Sequence, residues 1–390
     1  MNRDHEDGER GPRLHLETLG IHAGREPDPD TGAVVTGWEP ATSFRRGNPA
    51  GLSYIRDDSP NRRQAETALA ALEGGAEAVA FASGSAASHA LFATLPAGSE
   101  IVCTEDAYWG TRQQLSELAP RWGITTRFVN TAETQAVREA VGARTALVWL
   151  ETPSNPLLRV SDIRAVAEIT HAAGALLACD NTLATPVIQQ PLALGADLVM
   201  HSTTKYLGGH SDLMGGVVVG RRGPLMEAVR HQQRVAGASP SPFDCWLLLR
   251  SLATLAVRVR GQCAGALAIA GALAAHEAVG EVLYPGLPGH PGHVLAVGQS
   301  TLVGDAGTPL PLGAMLSIRL AGGAEQAAGV ANRTRLFHRA TSLGGVESLI
   351  EHRAPVEGPG TLTPDDLLRL SVGLEHPQDL LGDLRRALSA

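Results

Sequence analysis

The sequence predicts an α/β protein, with a doubly wound, mostly parallel sheet in a large domain and a smaller α/β domain at the C-terminal end. Three observations predict it. Short apolar runs alternate with helical stretches from about residue 76 to 242. From Phe243 a long helical pattern, then Pro- and Gly-rich turns, one strand and further helices make a second, smaller part. A chain of 390 residues is long enough for two or three domains.

Taken in order, residues 1–60 are rich in Gly, Pro, Asp and Arg and carry little periodicity, so they read as an extended arm. The first eleven are charged with both signs and form a solvated tail, not a secretory signal. A helix is expected over 61–73, closed by Gly74 and Gly75. Strands are expected at 76–81, 100–103, 125–129, 146–150, 175–179, 198–200 and 215–219. Helices fall between them at 86–95, 112–118, 133–141 and 163–173. Residues 61–242 therefore form the large domain. From Phe243 a long helical pattern opens the second domain, 243–390. Pro- and Gly-rich turns, a strand at 315–320, a helix at 326–333 and a last helix at 377–388 complete it.

Hydrophobic residues make up 44% and charged residues 18%, which argues against wholesale disorder. The net charge of −8 and the lack of a basic patch argue against nucleic acid or an anionic membrane as a partner. No apolar stretch is long enough to span a bilayer. The four cysteines (Cys103, Cys179, Cys245 and Cys263) lie far apart with no CxxC spacing, so neither a disulfide framework nor a metal site is expected. A cytoplasmic location follows from that pattern.

Of 32 basic residues, only Lys205 is lysine. Codon bias explains the general shortage of lysine but not the one that stays. Arginine replaces lysine on an exposed face; it does not replace a primary amine that must lose its proton and attack a carbonyl. Lys205 is thus a candidate Schiff-base nucleophile. It follows a predicted strand in HSTTKYLGGHSD, where Ser202 and Thr204 add hydroxyls suited to a phosphate. Asp180 ends another apolar run, at the strand end where open α/β sheets place ligands. The protonated nitrogen of a pyridine ring would pair with it, a device of enzymes that use pyridoxal 5'-phosphate (PLP). FASGSAA, at a strand-to-helix turn, offers backbone N–H groups to a phosphate. No Gly-rich nucleotide loop follows the first strand of either domain, which disfavours an NTPase or a dinucleotide enzyme.

The run LLACDNTLATPVIQQPLALGADLVMHSTTKYLGGHSDLMGGV, residues 176–217, closely resembles the Cys/Met-metabolism family of PLP-dependent enzymes. HAGREPDPDTGAV, ALAALEGG, DAYWGT, ETPSNP, SPFDCWLLLR, TSLGGVESLIEH and LLRLSVGLEHPQDLL extend the resemblance over nearly the whole chain beyond the first fifteen residues. That family includes cystathionine γ-synthases, cystathionine γ- and β-lyases, methionine γ-lyases and O-acylhomoserine sulfhydrylases. The resemblance implies the PLP-dependent transferase fold of type I and a PLP cofactor held by Lys205. It implies that Asp180 pairs with the pyridine nitrogen, that Tyr108 stacks on the ring and exchanges protons, and that Thr182 packs beside it. It places Asn155 at the phenolic oxygen or the substrate carboxylate. The phosphate would be held by Gly84, Ser85, Ser202 and Thr204, with Tyr54 and Arg56 reaching over from a neighbouring subunit. Arg369, helped by Ser342, would clamp the substrate α-carboxylate. The implied assembly is a homo-oligomer, a dimer of dimers, acting on a small amino acid.

Several departures bear on the substrate. Cystathionine-handling members commonly carry Glu where this chain has Thr341, an acid at Ser53 and Arg at Gln113. Methionine γ-lyases carry Cys at Gly110. Trp38 and Trp109 replace smaller or different residues, and Arg353-Ala-Pro-Val-Glu-Gly replaces a longer HPA…TH run. The sequence therefore points to γ-elimination or γ-replacement on a γ-substituted L-amino acid (homoserine-ester, thioether or halide type) in a specialised pathway. Cystathionine γ-synthase, γ-lyase or sulfhydrylase activity is the alternative within the family, and a non-catalytic paralogue the alternative outside it.

Overall fold

The computed structural model describes residues 14–302 and 307–389. The tail at residues 1–13 lies outside the described residues. Seven strands build the larger sheet: β1 (Glu77–Phe81), β2 (Glu100–Thr104), β3 (Thr125–Val129), β4 (Thr145–Glu151), β5 (Leu176–Asp180), β6 (Leu198–Ser202) and β7 (Gly216–Gly220). Each overlaps an expected strand. They are ordered β1-β7-β6-β5-β4-β2-β3. The ladders joining β6, β5, β4, β2 and β3 are parallel. β7 is antiparallel to both β1 and β6. A parallel return needs a long crossover, usually a helix. Residues 203–215, between β6 and β7, form turns and no helix, so the chain comes straight back.

Helices cover both faces, as a doubly wound sheet requires. The first ones are α1 (Leu16–His22), α2 (Pro60–Glu73), α3 (Gly84–Phe92), α4 (Trp109–Gln113), α5 (Thr134–Ala140) and α6 (Ile163–Ala172). They are followed by α7 (Thr185–Ile188), α8 (Pro224–Ala236), α9 (Pro242–Leu252) and α10 (Leu255–Leu273). Side chains alternate along a strand, so one strand feeds two cores. Cys103 and Trp149 pack with α3 and α8 on one side. Val102, Val148 and Leu150 pack with α5 and α6 on the other. The helix starts follow local rules. Ser59 caps α2 with Pro60 in its first turn, Gly74 closes that helix at φ 71°, Ser83 caps α3 and Asp162 caps α6.

The long helix expected from Phe243 is two helices, α9 and α10, bent by 64°. Thr254 leaves helical geometry at φ −111°, ψ 8°. Buried Arg258 stabilises the break, donating Nη2 to Ser251 O at 3.0 Å and Nη1 to Tyr206 O at 2.8 Å. That guanidinium also pins the turn that carries Lys205. No single helix among the described residues is long and apolar enough to cross a membrane.

The smaller sheet contains β8 (Val279–Leu283), β9 (Met315–Leu320), β10 (His338–Arg339), β11 (Leu349–His352) and β12 (Leu367–Ser371), ordered β10-β11-β12-β9-β8. Only β9 is a clear strand in the sequence. After α11 (His293–Gln299) come α12 (Gly323–Arg333), α13 (Ala354–Glu357) and α14 (Pro377–Leu388). Leu316, Ile318, Leu368 and Leu370 of this sheet pack against Val330, Leu380 and Leu384 of α12 and α14.

Candidate active site

The carboxyl ends of β4, β5 and β6, the start of α3 and the turn after β6 converge on one cavity of about 200 Å³. Nine residues singled out in the sequence line it: Gly84, Ser85, Tyr108, Asn155, Asp180, Thr182, Ser202, Thr204 and Lys205. Parallel strands put their carboxyl ends on the same edge, so residues far apart in sequence meet there.

Asp180 ends β5. Its Oδ1 accepts the Thr182 N–H at 3.0 Å and the Thr182 hydroxyl at 2.5 Å. The Ser202 N–H donates to that hydroxyl at 2.9 Å, so Thr182 aims the carboxylate and ties β5 to β6. Burial pushes the Asp180 carboxyl above its ordinary pKa, against the Thr182 hydrogen bonds. An adjacent cation would reverse that shift. Glu151 stands opposite Asp180 on β4 and also lines the cavity. It is 2% exposed, and burial, then the charge of Asp180, raise its pKa well above the carboxylate range. Its Oε2 accepts the Tyr108 N–H at 2.7 Å, fixing the backbone of the tyrosine at the mouth. Behind the site, buried His201 shares a hydrogen bond with Glu73 at 2.5 Å.

The Lys205 Nζ donates to Ser342 Oγ at 2.8 Å. Burial lowers its pKa to about 8, helped by the charges of Arg369 and Arg353 and opposed by Glu351. Ser342 sits at φ 95°, a conformation costing on the order of 1–3 kcal/mol that is characteristic of functional turns. Its carbonyl accepts Arg369 Nη2 at 3.1 Å, so one residue spaces the lysine from the arginine. Arg369 lies on β12, 5% exposed, and donates Nη1 to Asn155 Oδ1 at 3.0 Å. Burial lowers its pKa to about 10, which leaves it charged at neutral pH. Ser317 Oγ donates to Pro156 O at 2.8 Å, a second tie between the smaller sheet and the loop that carries Asn155.

At the other end of the cavity Ser83 Oγ accepts the Ala86 N–H at 3.0 Å and opens α3. A Cβ on Gly84 would fall 2.8 Å from Ser202 Cβ, so only glycine lets the helix start approach β6 this closely. Ser85 and Ser202 line the space beside the first helical turn, whose leading N–H groups have no partner within the helix. The Thr204 hydroxyl exchanges hydrogen bonds with the backbone of Gly215. Gly110 has a similar steric reason: a Cβ there would meet the Tyr108 ring at 2.6 Å.

Tyr54 and Arg56 do not reach this cavity within one chain. They are exposed, with the Arg56 guanidinium 5.2 Å from the Tyr54 ring centre. Trp38 packs edge-on against Phe243 at 5.5 Å, and Trp109 is partly exposed at the start of α4; neither lines the cavity.

A sequence profile described as Cys/Met metabolism PLP-dependent enzyme matches residues 17–389. The chain belongs to this family. It is 45% identical over 381 residues to a cystathionine gamma-synthase of Mycobacterium tuberculosis, covering 95% of this chain and 96% of the relative. It is 41% identical over 389 residues to a cystathionine gamma-lyase of Mus musculus, covering 96% of each. Among solved structures, metB of Corynebacterium glutamicum superposes with a TM-score of 0.92 at 41% identity, covering 96% of this chain and 98% of that one. CalE6 of Micromonospora echinospora superposes at 0.90 with 39% identity, covering 97% and 100%; it is described both as a cystathionine gamma lyase and as a methionine gamma lyase. As a family member the protein is a PLP-dependent enzyme of Cys/Met metabolism, and PLP is its cofactor. The cavity fits that group chemically: a primary amine, a buried carboxylate for a ring cation, and a helix start without a Cβ for a phosphate.

Proposed function

We propose that the protein catalyses elimination or replacement at Cγ of a γ-substituted L-amino acid whose leaving group is an ester, a halide or a small thioether. The observation that carries this reading is Ser342. Its hydroxyl takes the Lys205 amine and its carbonyl takes Arg369, which spaces a proton-transfer group from a carboxylate-binding cation.

Bound PLP supplies an electron sink for the carbanion formed when the Cα proton leaves. The protein does the rest. Lys205 would hold the cofactor aldehyde until the substrate amine takes its place. The freed amine then accepts the Cα proton and passes protons along the Cα–Cβ edge, a role suited to a lysine whose pKa is lowered. Asp180, aimed by Thr182, would keep the ring nitrogen protonated. Tyr108 would cover the ring and exchange a proton at the mouth. Gly84, Ser85, Ser202 and Thr204 would hold the phosphate. Arg369, Asn155 and Ser342 would grip the α-carboxylate in a bidentate fork. Tyr54 and Arg56, exposed in one chain, would complete the phosphate site of a neighbouring protomer, so the working unit is at least a dimer and by family pattern a dimer of dimers.

The names of the relatives favour a second reading, cystathionine γ-synthase or γ-lyase activity. Thr341, Ser53 and Gln113, where cystathionine-handling members commonly place charged groups, speak against it. Mass spectrometry of products decides between them. The holoenzyme is offered O-acetylhomoserine, cystathionine, methionine and a γ-chloro amino acid, each with and without a thiol. The proposal expects an oxo acid, ammonia and the leaving group from the ester or chloride, or a new thioether when thiol is present. Preference for cystathionine would establish the second reading. No turnover of any substrate would leave an inert paralogue.

A further inference from the structure

Arg369 is already paired in the free protein. Its Nη2 donates to Glu351 Oε2 at 2.8 Å, directly across the β11–β12 ladder. The same oxygen accepts Arg353 Nη1 at 3.0 Å. Arg353 Nε donates to Glu357 Oε1 at 2.8 Å, and Glu357 Oε2 accepts the hydroxyls of Thr361 and of Thr363, the latter at 2.8 Å. Arg369, Glu351 and Arg353 are 5%, 7% and 5% exposed. Arg369, Glu351, Arg353 and Glu357 thus form a buried chain of alternating sign with no net charge. Arg353 and Glu357 belong to the Arg353-Ala-Pro-Val-Glu-Gly segment by which this sequence departs from its relatives.

A buried guanidinium without a counter-ion is costly, and Glu351 removes that cost before substrate arrives. It also creates a difficulty. A substrate carboxylate entering at Arg369 is a second carboxylate beside Glu351, and two anions compete for one cation. Glu351 yields its place only if another cation keeps it paired. Arg353 is that cation, and its own partner Glu357, tied to two threonine hydroxyls, keeps it from moving.

We propose that Arg353 is a positioning residue for substrate binding: it retains Glu351 when Arg369 turns its fork to the substrate α-carboxylate. This rests on the reading of Arg369 as the carboxylate clamp. Glu351 is then an internal stand-in for the substrate, and the balance between the two arginines sets the affinity for any α-amino acid.

The test uses the holoenzyme and glycine, an α-amino acid with no γ-carbon to react, titrated by calorimetry, alongside KM and kcat for O-acetylhomoserine. Arg353→Met should weaken glycine binding about tenfold and raise KM, with the effect on KM exceeding that on kcat. Glu351→Gln, which keeps the shape and removes the competing charge, should tighten glycine binding. The double variant should return towards the parent affinity, a rescue that a merely structural role would not produce. Parent affinity in Arg353→Met, or a double variant as weak as Arg353→Met, overturns the proposal. If Arg353→Met does not fold, Glu351→Gln decides, and weaker binding there overturns it. Arg369→Met separates the two readings. If it binds glycine as the parent does, the clamp reading fails. If it loses glycine while Arg353→Met does not, only the role of Arg353 fails.

Discussion

In the role proposed for it, Lys205 must be neutral to attack an aldehyde, and its surroundings favour the neutral form. Its pKa of about 8, against an ordinary lysine value near 10.5, results from burial first and from Arg369 and Arg353 second. At pH 7 about 9% of such an amine is unprotonated, against about 0.03% of an ordinary lysine, a gain of about 300-fold in reactive form. The sign follows from the direction of the shift: a lowered lysine pKa enlarges the neutral fraction at every pH below its ordinary value. Cofactor-stripped protein mixed with PLP in a stopped-flow spectrometer, over about pH 6 to 10, should combine about tenfold faster per pH unit up to about pH 8 and then level off. Borohydride reduction and peptide mass spectrometry should place the adduct on Lys205, and Lys205→Ala should trap none. PLP titrates too, so a variant assigns the bend. Glu351 opposes the shift, and Glu351→Gln should move the bend to lower pH. A rate that climbs unbroken to the ordinary lysine pKa near 10.5 would refute the reasoning, as would a bend that ignores Glu351.

Three further outcomes are expected. Asp180→Asn keeps the shape and removes the charge proposed to pair with the ring nitrogen; PLP retention measured by equilibrium dialysis should fall by about 2–5 kcal/mol, and undiminished retention would take Asp180 away from the ring. Gly84→Ala puts a Cβ 2.8 Å from Ser202 Cβ, so both thermal stability and PLP affinity should drop by about 1–3 kcal/mol, and a variant equal to the parent in both would show the helix start is not crowded. Tyr54→Phe combined with Arg56→Ala should lose PLP on dialysis although neither residue lines the cavity of its own chain, and full occupancy would contradict the shared site.

The larger sheet was legible because most of its strands are buried on both faces; β3, at the edge, is partly exposed. Runs such as residues 146–150 and 175–179 need no partner pattern to be recognised. The reversed direction of β7 was not, since strand direction depends on what joins the strands and a Ser/Thr/Gly-rich turn does not state where it leads. The smaller sheet was largely hidden. β10 has two residues, β8 is a partly exposed edge, and β11 and β12 place Glu351 and Arg369 among leucine and isoleucine in short strands that end on His352 and Ser371. The break between α9 and α10 depends on Arg258 reaching a turn about fifty residues away, which no local window contains. At the site, Lys205 stood out by scarcity and Asp180 by its place at a strand end. Glu151 was missed although it opens the ETPSNP motif, because its part depends on the Tyr108 backbone forty-three residues earlier. Arg353 was visible as a departure, but its pairing with Glu351 required the fold.

A chain with one lysine has one bond for a lysine-specific protease, Lys205–Tyr206, and complete digestion of the unfolded protein yields 1–205 and 206–390. In the folded protein that bond lies in the turn after β6, where Tyr206 is 1% exposed and its carbonyl is held by Arg258. Cutting therefore requires the floor of the catalytic cavity to open. Once the side chain carries the cofactor it no longer offers the protease a free ammonium. The appearance of the two fragments on a gel from cofactor-free protein is thus a clock for opening of the candidate active site, and protection on adding PLP reports occupancy of the lysine.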